Sequence, residues 1–499
     1  MSKILIGIDK GNYSFTASTG QIQLTNIENI SLNQLLLIVN SSKNDVIYSP
    51  VDSSRSATLI GNNLIQLNYS NVSGHSNSDL LQIYISEKNK DEFGLRSHNF
   101  DSFGRIRTSN PFIIFENSNI QSSNNDLMES LTANGASVTY ISGESAVYLT
   151  TDTTSGSRAI REQHGYNYYH PGKTQQIFMT GVFGDYVDNN VQRIGYFNDN
   201  DGLFFEKNGT DNQIYIVERS SVNSTERKIP QSQWNFDTLN GTNDSSNPSG
   251  ILLDTNKANI YTIDFQWLGV GQSNYGIIVG DKTYYVHKES HANLYDTVYT
   301  RTPQLPIRYE NVNTGVTTAS TTLIEICSSV NSEASIDTPN RYREYSTGPS
   351  PITIGTTLVP LFSIRLQTLI NNITNIYKVY PIDITLFNMV TNQDAYYQII
   401  LQKYHMGQVV LGGTPTWTPL SNTTIEYSTN VTSTSGGILL GSGVVFRGGR
   451  GSTVQNQLSE KDFLSLNSIG DNSDVLHVLC RGIGGNVQMI GKIEFSELY

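Results

Sequence analysis

The stretch Tyr261–Trp267, YTIDFQW, alternates strictly between apolar and polar residues. Every odd position from 261 to 267 carries an apolar or aromatic side chain, and positions 262, 264 and 266 are polar. Successive side chains of a β-strand point to opposite faces, so a period of two residues is typical of a strand with one buried face. The pattern therefore predicts a half-buried strand in the middle of the chain.

A β-hairpin is predicted directly after this strand. The segment NYGIIVGDKTYYVH places Gly280-Asp281 between two apolar runs, and this dipeptide suits a two-residue turn of type II′. The turn fixes the register of the two strands. The expected pairs on the shared apolar face are Ile277 with Tyr284 and Tyr275 with Val286.

The composition extends this interpretation to the whole chain. Aromatic residues make up 10%, with 28 Tyr, whereas charged residues make up 15%. Disordered chains lack aromatics and carry many charges, so this chain is expected to bury a core. Tyr, Thr, Val and Ile suit pleated surfaces, and Asn and Gly suit turns. The prediction is an all-β protein.

Three domains are predicted, because 499 residues exceed one ordinary core. Residues 1–95 form a small N-terminal β module that ends at the charged run SEKNKDE. Residues 96–350 form a central β-sandwich. Residues 351–499 form a C-terminal β-sandwich that follows the segment STGPSPITIG.

The charge and the cysteines exclude several classes. A net charge of −12 and a pI near 5.1 argue against a nucleic-acid partner. Cys327 and Cys480 lie far apart and predict neither a disulfide framework nor a structural zinc site. No run approaches the ~20 apolar residues of a membrane span, so no membrane insertion is expected. The start lacks a signal-peptide core, which predicts synthesis in a cytoplasm.

His287, Glu289 and His291 form the first candidate metal site. Zinc-protease motifs need the glutamate directly beside a histidine, and here it lies in the middle. On a strand all three side chains would share a face. The predicted hairpin register directs His287 away from the apolar face, so a polar strand end is favoured over a metal site.

Asp199 and Asp201 form the second candidate, in the acidic segment FNDNDGLFFEKNGTDN. Aligning Gly202 with the glycine of a helix-loop-helix calcium loop leaves Phe197 at the first ligand position and Asn208 at the last. The calcium loop therefore does not fit. A hairpin turn is predicted, with a weak surface cation as the alternative, and no cofactor is predicted.

Signatures of enzymes are absent from the sequence. GSGVVFRGGRGS lacks the ending of a phosphate-binding loop, and no G-x-S-x-G elbow occurs. Carboxylates are plentiful, but no glycosidase pair stands out. REQHGYNYYHPGK and ESHANLYDTVYTRTPQLPIRYE mix aromatics with Arg, Lys and His, which is typical of sugar-stacking or protein-contact surfaces. A protein without enzymatic activity is expected.

Several segments occur together in a recognisable order. They are FDSFGRIRTSNPFIIFE, SRAIREQHGYNYYHPGKTQQIFMTGVFG, IGYFNDNDGLFFE, PQSQWNFDTLNGT, IDFQWLGVG and TPQLPIRYE. This set resembles a family of virion structural proteins of tailed phages and other large DNA viruses, over roughly residues 20–345. LNQLLLIVNSSKNDVIYS with SDLLQIYI resembles a small module attached to such proteins. The strand ending at Trp267, with its hairpin, resembles sugar-binding jelly rolls of the concanavalin type.

The resemblance implies a non-enzymatic structural component of a virus particle, exposed as a fibre, decoration or tail-associated subunit. Its partners would be other virion proteins and copies of itself, and fibres are usually symmetric trimers. REQHGYNYYHPGK is less basic than the related segments, so a contact through charge is not expected there. Two alternatives stay open, a carbohydrate-binding adhesin for host attachment and, ranked third, a polysaccharide depolymerase.

Overall fold

The fold follows from short apolar segments that are separated by turns rich in Asn and Gly. The computed structural model describes residues 3–6, 12–25, 30, 32, 35–61, 63–68, 74–86, 111–222, 224–242, 244–280, 282–333, 341–448, 452–454 and 462–498. These residues form strands, short 3-10 turns and the loops that join them, and none of them lies in an α-helix. The predicted all-β class is confirmed. No helix in the described ranges is long and apolar enough to cross a membrane.

The chain divides into two compact units, Met1–Ser97 and His98–Tyr499. The first unit has two four-stranded sheets, in the orders β1-β8-β4-β5 and β2-β3-β7-β6. Ile22, Ile38, Ile65 and Ile83 are fully buried between them. The strands are β1 Lys3–Ile6, β2 Tyr13–Thr16, β3 Gln21–Leu24, β4 Leu35–Asn40, β5 Asp45–Tyr48, β6 Ala57–Gly61, β7 Leu64–Leu67 and β8 Leu81–Ser86, with a 3-10 turn at Ser53–Arg55.

The second unit begins with a central sandwich. Its strands are β9 Phe112–Ser118, β10 Met128–Ala133, β11 Ser137–Ile141, β12 Ala146–Thr151, β13 Arg158–Gln163, β14 Gln175–Val182, β15 Asn190–Phe197, β16 Gly202–Asn208, β17 Gln213–Ser220, β18 Thr225–Pro230, β19 Asn259–Gln266, β20 Gln272–Val279, β21 Lys282–Ser290, β22 Ile307–Asn313 and β23 Thr321–Ser332, with a 3-10 turn at Gln231–Gln233.

These strands form two antiparallel sheets that enclose one core. The seven-stranded sheet has the order β10-β13-β22-β15-β16-β17-β18, and the eight-stranded sheet has the order β11-β12-β23-β14-β19-β20-β21, with β9 also pairing with β23. Aromatic side chains from both sheets fill the space between them, among them Tyr196, Phe205, Tyr261 and Tyr309. This arrangement is a jelly-roll-like β-sandwich.

A second core follows in the same unit. Its strands are β24 Arg341–Ser346, β25 Ile352–Ile354, β26 Val359–Leu366, β27 Leu369–Ile370, β28 Ile373–Thr374, β29 Lys378–Asn388, β30 Asp394–Gln402, β31 Thr418–Pro419, β32 Ile425–Ser428, β33 Ile438–Val445, β34 Ser452–Val454, β35 Val475–Ile483 and β36 Val487–Leu498, with a 3-10 turn at Tyr404–Met406. The sheets have the orders β24-β36-β29-β34, with β25 also on β36, and β31-β32-β26-β35-β30-β33, and β27 and β28 form a separate ribbon.

Of the two predicted domain boundaries, one lies within the described residues and one does not. The one between residues 95 and 96 lies outside the described residues. The one between residues 350 and 351 falls after β24, yet β24 pairs with β36 near the end of the chain. The strand 341–346 therefore belongs to the C-terminal sheets.

The alternating strand 261–267 is present as β19, with one departure from expectation. Tyr261, Ile263 and Phe265 face the core, as predicted. Thr262 and Asp264, on the other face, are also buried, at 0% and 1% exposure. The strand is therefore covered on both faces, and the prediction of a half-buried strand is wrong.

The hairpin β20–β21 is also present, and Ile277 pairs with Tyr284 as predicted. A β-bulge between Tyr275 and Gly276 shifts the register beyond that point. Tyr275 consequently pairs with His287 instead of Val286. Paired residues share a face, so His287 lies on the core side, and the prediction that it points away from the apolar face is wrong.

Candidate functional site

His287 and Glu289 on β21 contact each other, and each also contacts one neighbouring group. The Nε2 of His287 lies 2.6 Å from Glu289 Oε1, and the backbone N–H of Asn235 donates to His287 Nδ1 at 3.2 Å. The guanidinium of Arg227 lies 2.7 Å from the other Glu289 oxygen. Both ring nitrogens are therefore engaged in hydrogen bonds.

His291, just after β21, makes a separate set of contacts. Its Nδ1 lies 2.8 Å from the carbonyl of Gly271, and its Nε2 lies 2.8 Å from Glu218 Oε2. The ring stacks on Tyr299 with centroids 3.8 Å apart. His287 and His291 thus have different carboxylate partners, and the arrangement favours a structural role for all three candidate residues.

Asp199 and Asp201 lie in the loop that joins β15 to β16, where a hairpin turn was predicted. Asp199 Oδ1 accepts hydrogen bonds from Arg158 and Arg308, both at 2.9 Å. The buried Asp201 accepts from the hydroxyl of Ser221 at 2.8 Å. The two carboxylates thus stabilise the turn and its neighbours.

A charged ladder crosses the face of the seven-stranded sheet that points away from the core. Arg308 Nη1 lies 3.1 Å from Glu162, Arg158 Nε lies 2.7 Å from Glu310, and Arg193 Nε lies 2.7 Å from Glu206. Each of these carboxylates is at most 2% exposed. The members of the ladder are Arg158, Glu162, Arg193, Glu206, Lys228, Arg308 and Glu310.

The ladder shifts the carboxyl pKa values in opposite directions. Burial opposes the ionisation of Glu310, but the guanidiniums of Arg308, Arg193 and Arg158 outweigh it and hold its pKa below the usual value. Burial raises the pKa of Glu162 to about 8 despite Arg308. A buried carboxyl with a raised pKa is a feature of general acids as well as of structural groups.

Glu129 is the cross-strand neighbour of Glu162, so the structure brings two carboxyl groups side by side. The sequence alone had singled out no such pair. Burial raises the pKa of Glu129 too, and the backbone N–H of Ser468 donates to Glu129 Oε2 at 2.8 Å. Glu129 and Glu162 are 3% and 2% exposed. A glycosidase pair must reach both sides of a glycosidic bond, and these two carboxyls have no such access.

A junction cluster connects the central sandwich to the C-terminal one. It consists of His164 after β13, Lys403 and His405 after β30, Phe463, and Asp474 before β35. His164 Nε2 lies 2.8 Å from Asp474 Oδ2, and Lys403 Nζ lies 3.3 Å from the same oxygen. The rings of His164 and His405 have centroids 4.0 Å apart.

The cluster is the group within the described ranges that comes nearest to a metal centre. His164, His405 and Asp474 offer ligand atoms within 4.8 Å of one another. The Lys403 ammonium already balances the carboxylate, however, and both Asp474 oxygens accept further hydrogen bonds from the backbone N–H groups of Tyr404 and Ser465. A divalent cation here would meet an ammonium and an occupied carboxylate, so a structural junction is favoured.

Burial sets the protonation of the cluster. It lowers the pKa of His405 to about 3, with a contribution from His164. It also lowers the pKa of the neighbouring Lys378, whose Nζ lies over the ring of Phe463, to about 7, with a contribution from Lys403. Burial also lowers the pKa of His164, although Asp474 opposes this. Both imidazoles are therefore neutral at neutral pH, and Asp474 and Lys403 form the ionic pair.

Sequence reasoning missed this cluster. His164 lies in REQHGYNYYHPGK, a segment that the sequence marks only as a mixture of aromatic and basic residues. Its partner Asp474 lies 310 residues further along the chain. No spacing rule connects residues so far apart, so the sequence contained no usable signal for the contact.

A cleft of about 310 Å³ lies on the outward face of the eight-stranded sheet. Phe178 on β14, Ser329 on β23 and Glu116 on β9 form one row across its floor, because each pairs with the next. Phe178 is half-buried, and Glu116 is exposed. An aromatic ring beside a carboxylate is an arrangement that suits a sugar.

The sequence matches no protein-family model and no curated protein. Among solved structures, the fold is similar to a β-1,3-glucanase from Mycobacterium marinum, at TM-score 0.32 and 9% identity over 44% of this chain and 98% of that one. It is also similar to a β-glucanase from Bacillus licheniformis, at TM-score 0.29 and 10% identity over 45% and 98%. An endo-β-1,4-glucuronan lyase from Trichoderma reesei gives TM-score 0.29 and 13% identity over 44% and 95%. Each of these alignments spans less than half of this chain.

Proposed function

We propose that this protein is a non-enzymatic structural component of a virus particle, exposed as a fibre, decoration or tail-associated subunit. The observation that carries the proposal is the enclosure of the three carboxylates of the charged ladder. Glu162, Glu206 and Glu310 are buried and face guanidinium or ammonium groups across the sheet. Acids held in this way stabilise a sandwich and have no route to a substrate.

The ordered sequence resemblance to virion structural proteins supports the same proposal. A particle subunit must survive outside the cell, and two sandwiches with buried ion pairs suit that demand. Its partners would be other virion proteins and copies of this chain. Any host glycan contact would be added to this structural role.

Immunogold labelling of intact particles with antibody to this chain tests the proposal. Label on the capsid is expected for a decoration or head fibre, and label at the tail for a tail-associated subunit. Purified particles that contain no trace of the chain by mass spectrometry would contradict the proposal in both forms.

Carbohydrate binding is the second candidate, and the cleft with Phe178 and Glu116 favours it. Binding on a glycan array should then fall at least tenfold in Phe178→Ala, because stacking on the ring is lost. Tyr342→Ala removes an exposed ring of the C-terminal sheets and serves as the matched control. Equal binding by both variants would place any glycan site elsewhere.

A further inference from the structure

Lys207 is a buried amine with an unusual set of neighbours. It lies on β16 and is 2% exposed. Its Nζ donates to the side-chain carbonyl of Asn256 at 2.6 Å and to Thr255 Oγ1 at 3.0 Å. The ring of Tyr186 covers the nitrogen, with the centroid 4.1 Å away. The amine is thus held against a primary amide, beside an aromatic ring.

A carboxylate lies on the other side of that amide. The Nδ2 of Asn256 donates to Asp185 Oδ1 at 2.7 Å. The amine, the amide and the carboxylate therefore form a row. One hydrogen bond joins the amine to the amide, and another joins the amide to the carboxylate. In this order a nucleophile, an acyl group with a leaving nitrogen, and a group able to move protons are already in contact.

Burial also favours the reactive form of the amine. It lowers the pKa of Lys207 to about 8, although Asp185 and Asp254 oppose the shift. An ordinary lysine has a pKa near 10.4 and is almost fully protonated at neutral pH. At pH 7 roughly a tenth of Lys207 is the neutral amine, and only the neutral form can attack a carbonyl.

We propose that Lys207 and Asn256 form an intramolecular isopeptide bond, with Asp185 as the proton carrier. Lys207 Nζ attacks Asn256 Cγ and a C–N bond forms. Once Nζ is bonded to Cγ it shares that carbon with Nδ2, which Asp185 contacts. Asp185 then carries one proton from Nζ to Nδ2, and the Cγ–Nδ2 bond breaks with release of ammonia. A primary amine and a primary amide become a secondary amide and ammonia, so the step needs no oxidant, cofactor or further reactant.

The bond would join the two sheets of the central sandwich. Lys207 belongs to the seven-stranded sheet, and Asn256 lies three residues before the start of β19 in the eight-stranded sheet. The link closes a loop across 49 positions of the chain. Like a disulfide, such a link limits the unfolded chain, but it is not reversed by reducing agents.

Mass spectrometry of the folded full-length protein tests the proposal. The intact mass should be lower than the sequence mass by one ammonia, and a tryptic digest should contain a branched peptide that joins Lys207 to Asn256. Trypsin should not cut at Lys207. The full sequence mass, together with separate linear peptides for the two residues, would overturn the proposal.

Three variants make the test specific. Asp185→Asn should keep the fold, since position 185 is exposed. Its measured mass should equal the mass calculated from its own sequence, with no loss of ammonia, and its digest should contain no branched peptide. Lys207→Arg should likewise show the full mass. Lys257→Arg changes an exposed lysine next to Asn256 and should still lose ammonia. A branched peptide that persists in Asp185→Asn would remove Asp185 from the mechanism.

Thermal unfolding gives an independent reading. The cross-linked protein should melt at a higher temperature than Asp185→Asn, and reducing agent should not change the difference. Circular dichroism of each variant before heating identifies any that fail to fold. If the folded Asp185→Asn variant melts with the wild type and both carry the full mass, the Lys207–Asn256 contact is a hydrogen bond alone.

Discussion

Arg161 and Glu325 face each other across the core of the central sandwich, and neither side chain is exposed to solvent. Arg161 Nε lies 3.2 Å from Glu325 Oε2, and its Nη1 donates to the carbonyl of Met128 and to Ser130 Oγ. Removing one member of a buried pair leaves an uncompensated charge. Glu325→Gln should therefore lower the free energy of unfolding by about 3–5 kcal/mol.

A double-mutant cycle by urea denaturation measures this coupling. Arg161→Met alone should also destabilise the protein strongly. The pair Arg161→Met with Glu325→Leu should cost much less than the sum of the single changes, because no charge is left unpaired. Additive losses would show that the two residues act independently.

His477 on β35 makes the stability of the C-terminal core depend on pH. Ser363 lies 2.7 Å from its Nδ1, and Gln402 Oε1 lies 3.0 Å from its Nε2. Burial lowers its pKa to about 4. The unfolded chain therefore takes up a proton below pH 6.5 before the folded chain does, so stability is full above pH 6.5 and falls as the pH drops towards 4.

Unfolding of His477→Gln at a series of pH values tests this response. Gln is uncharged throughout, so the variant should lose less stability than the wild type between pH 6.5 and 4, by up to about 3 kcal/mol. Urea denaturation at pH 7 and at pH 4.5 gives the comparison. The same slope in both proteins would exclude His477 as the source.

At the scale of elements, the packing of β15 against β16 depends on a glycine. A Cβ added at Gly195 would lie 2.2 Å from Phe204 Cβ and 2.6 Å from the carbonyl of Leu203. Backbone atoms cannot move away cheaply. Gly195→Ala should therefore destabilise the sandwich by about 1–3 kcal/mol. Gly143→Ala has open space around it and should change the melting temperature little.

The hairpin β20–β21 shows what sequence patterns can and cannot predict at this scale. Its existence and the pair Ile277–Tyr284 followed from a local turn and an alternating pattern. The bulge beside Gly276 carries no pattern of its own, yet it moved His287 to the core face. A single extra residue thus decides on which face of the strand the candidate ligand His287 lies. Only the observed strand pairing reveals this extra residue.

The burial of β19 on both faces has a similar origin. Alternation indicates which residues differ in polarity, and it correctly separated Tyr261 and Phe265 from Asp264. It contains no information on what covers the polar face. Whether a polar residue such as Asp264 is buried depends on contacts from other strands. Asp264 accepts a hydrogen bond from Tyr285 on β21 at 2.9 Å.

At the scale of the whole molecule, the junction cluster explains why the two sandwiches form one compact unit. The segments that meet there are separated by up to 310 residues. The sequence predicted two separate sandwiches, since each has its own apolar strands. It could not predict the junction, because buried polar contacts between distant segments leave no periodic signal in either one.

Asp474→Asn tests this junction. The change keeps the size of the side chain but removes the charge that balances Lys403, whose Nζ is buried and donates to the carbonyl of Phe463 at 2.5 Å. The expected loss is about 3 kcal/mol, with new protease cleavage near residues 403–408. Asp471→Asn, at an exposed position three residues earlier, is the control and should resist protease like the wild type. If Asp474→Asn melts and resists protease as the control does, the apolar contacts between the sandwiches suffice without the ionic pair.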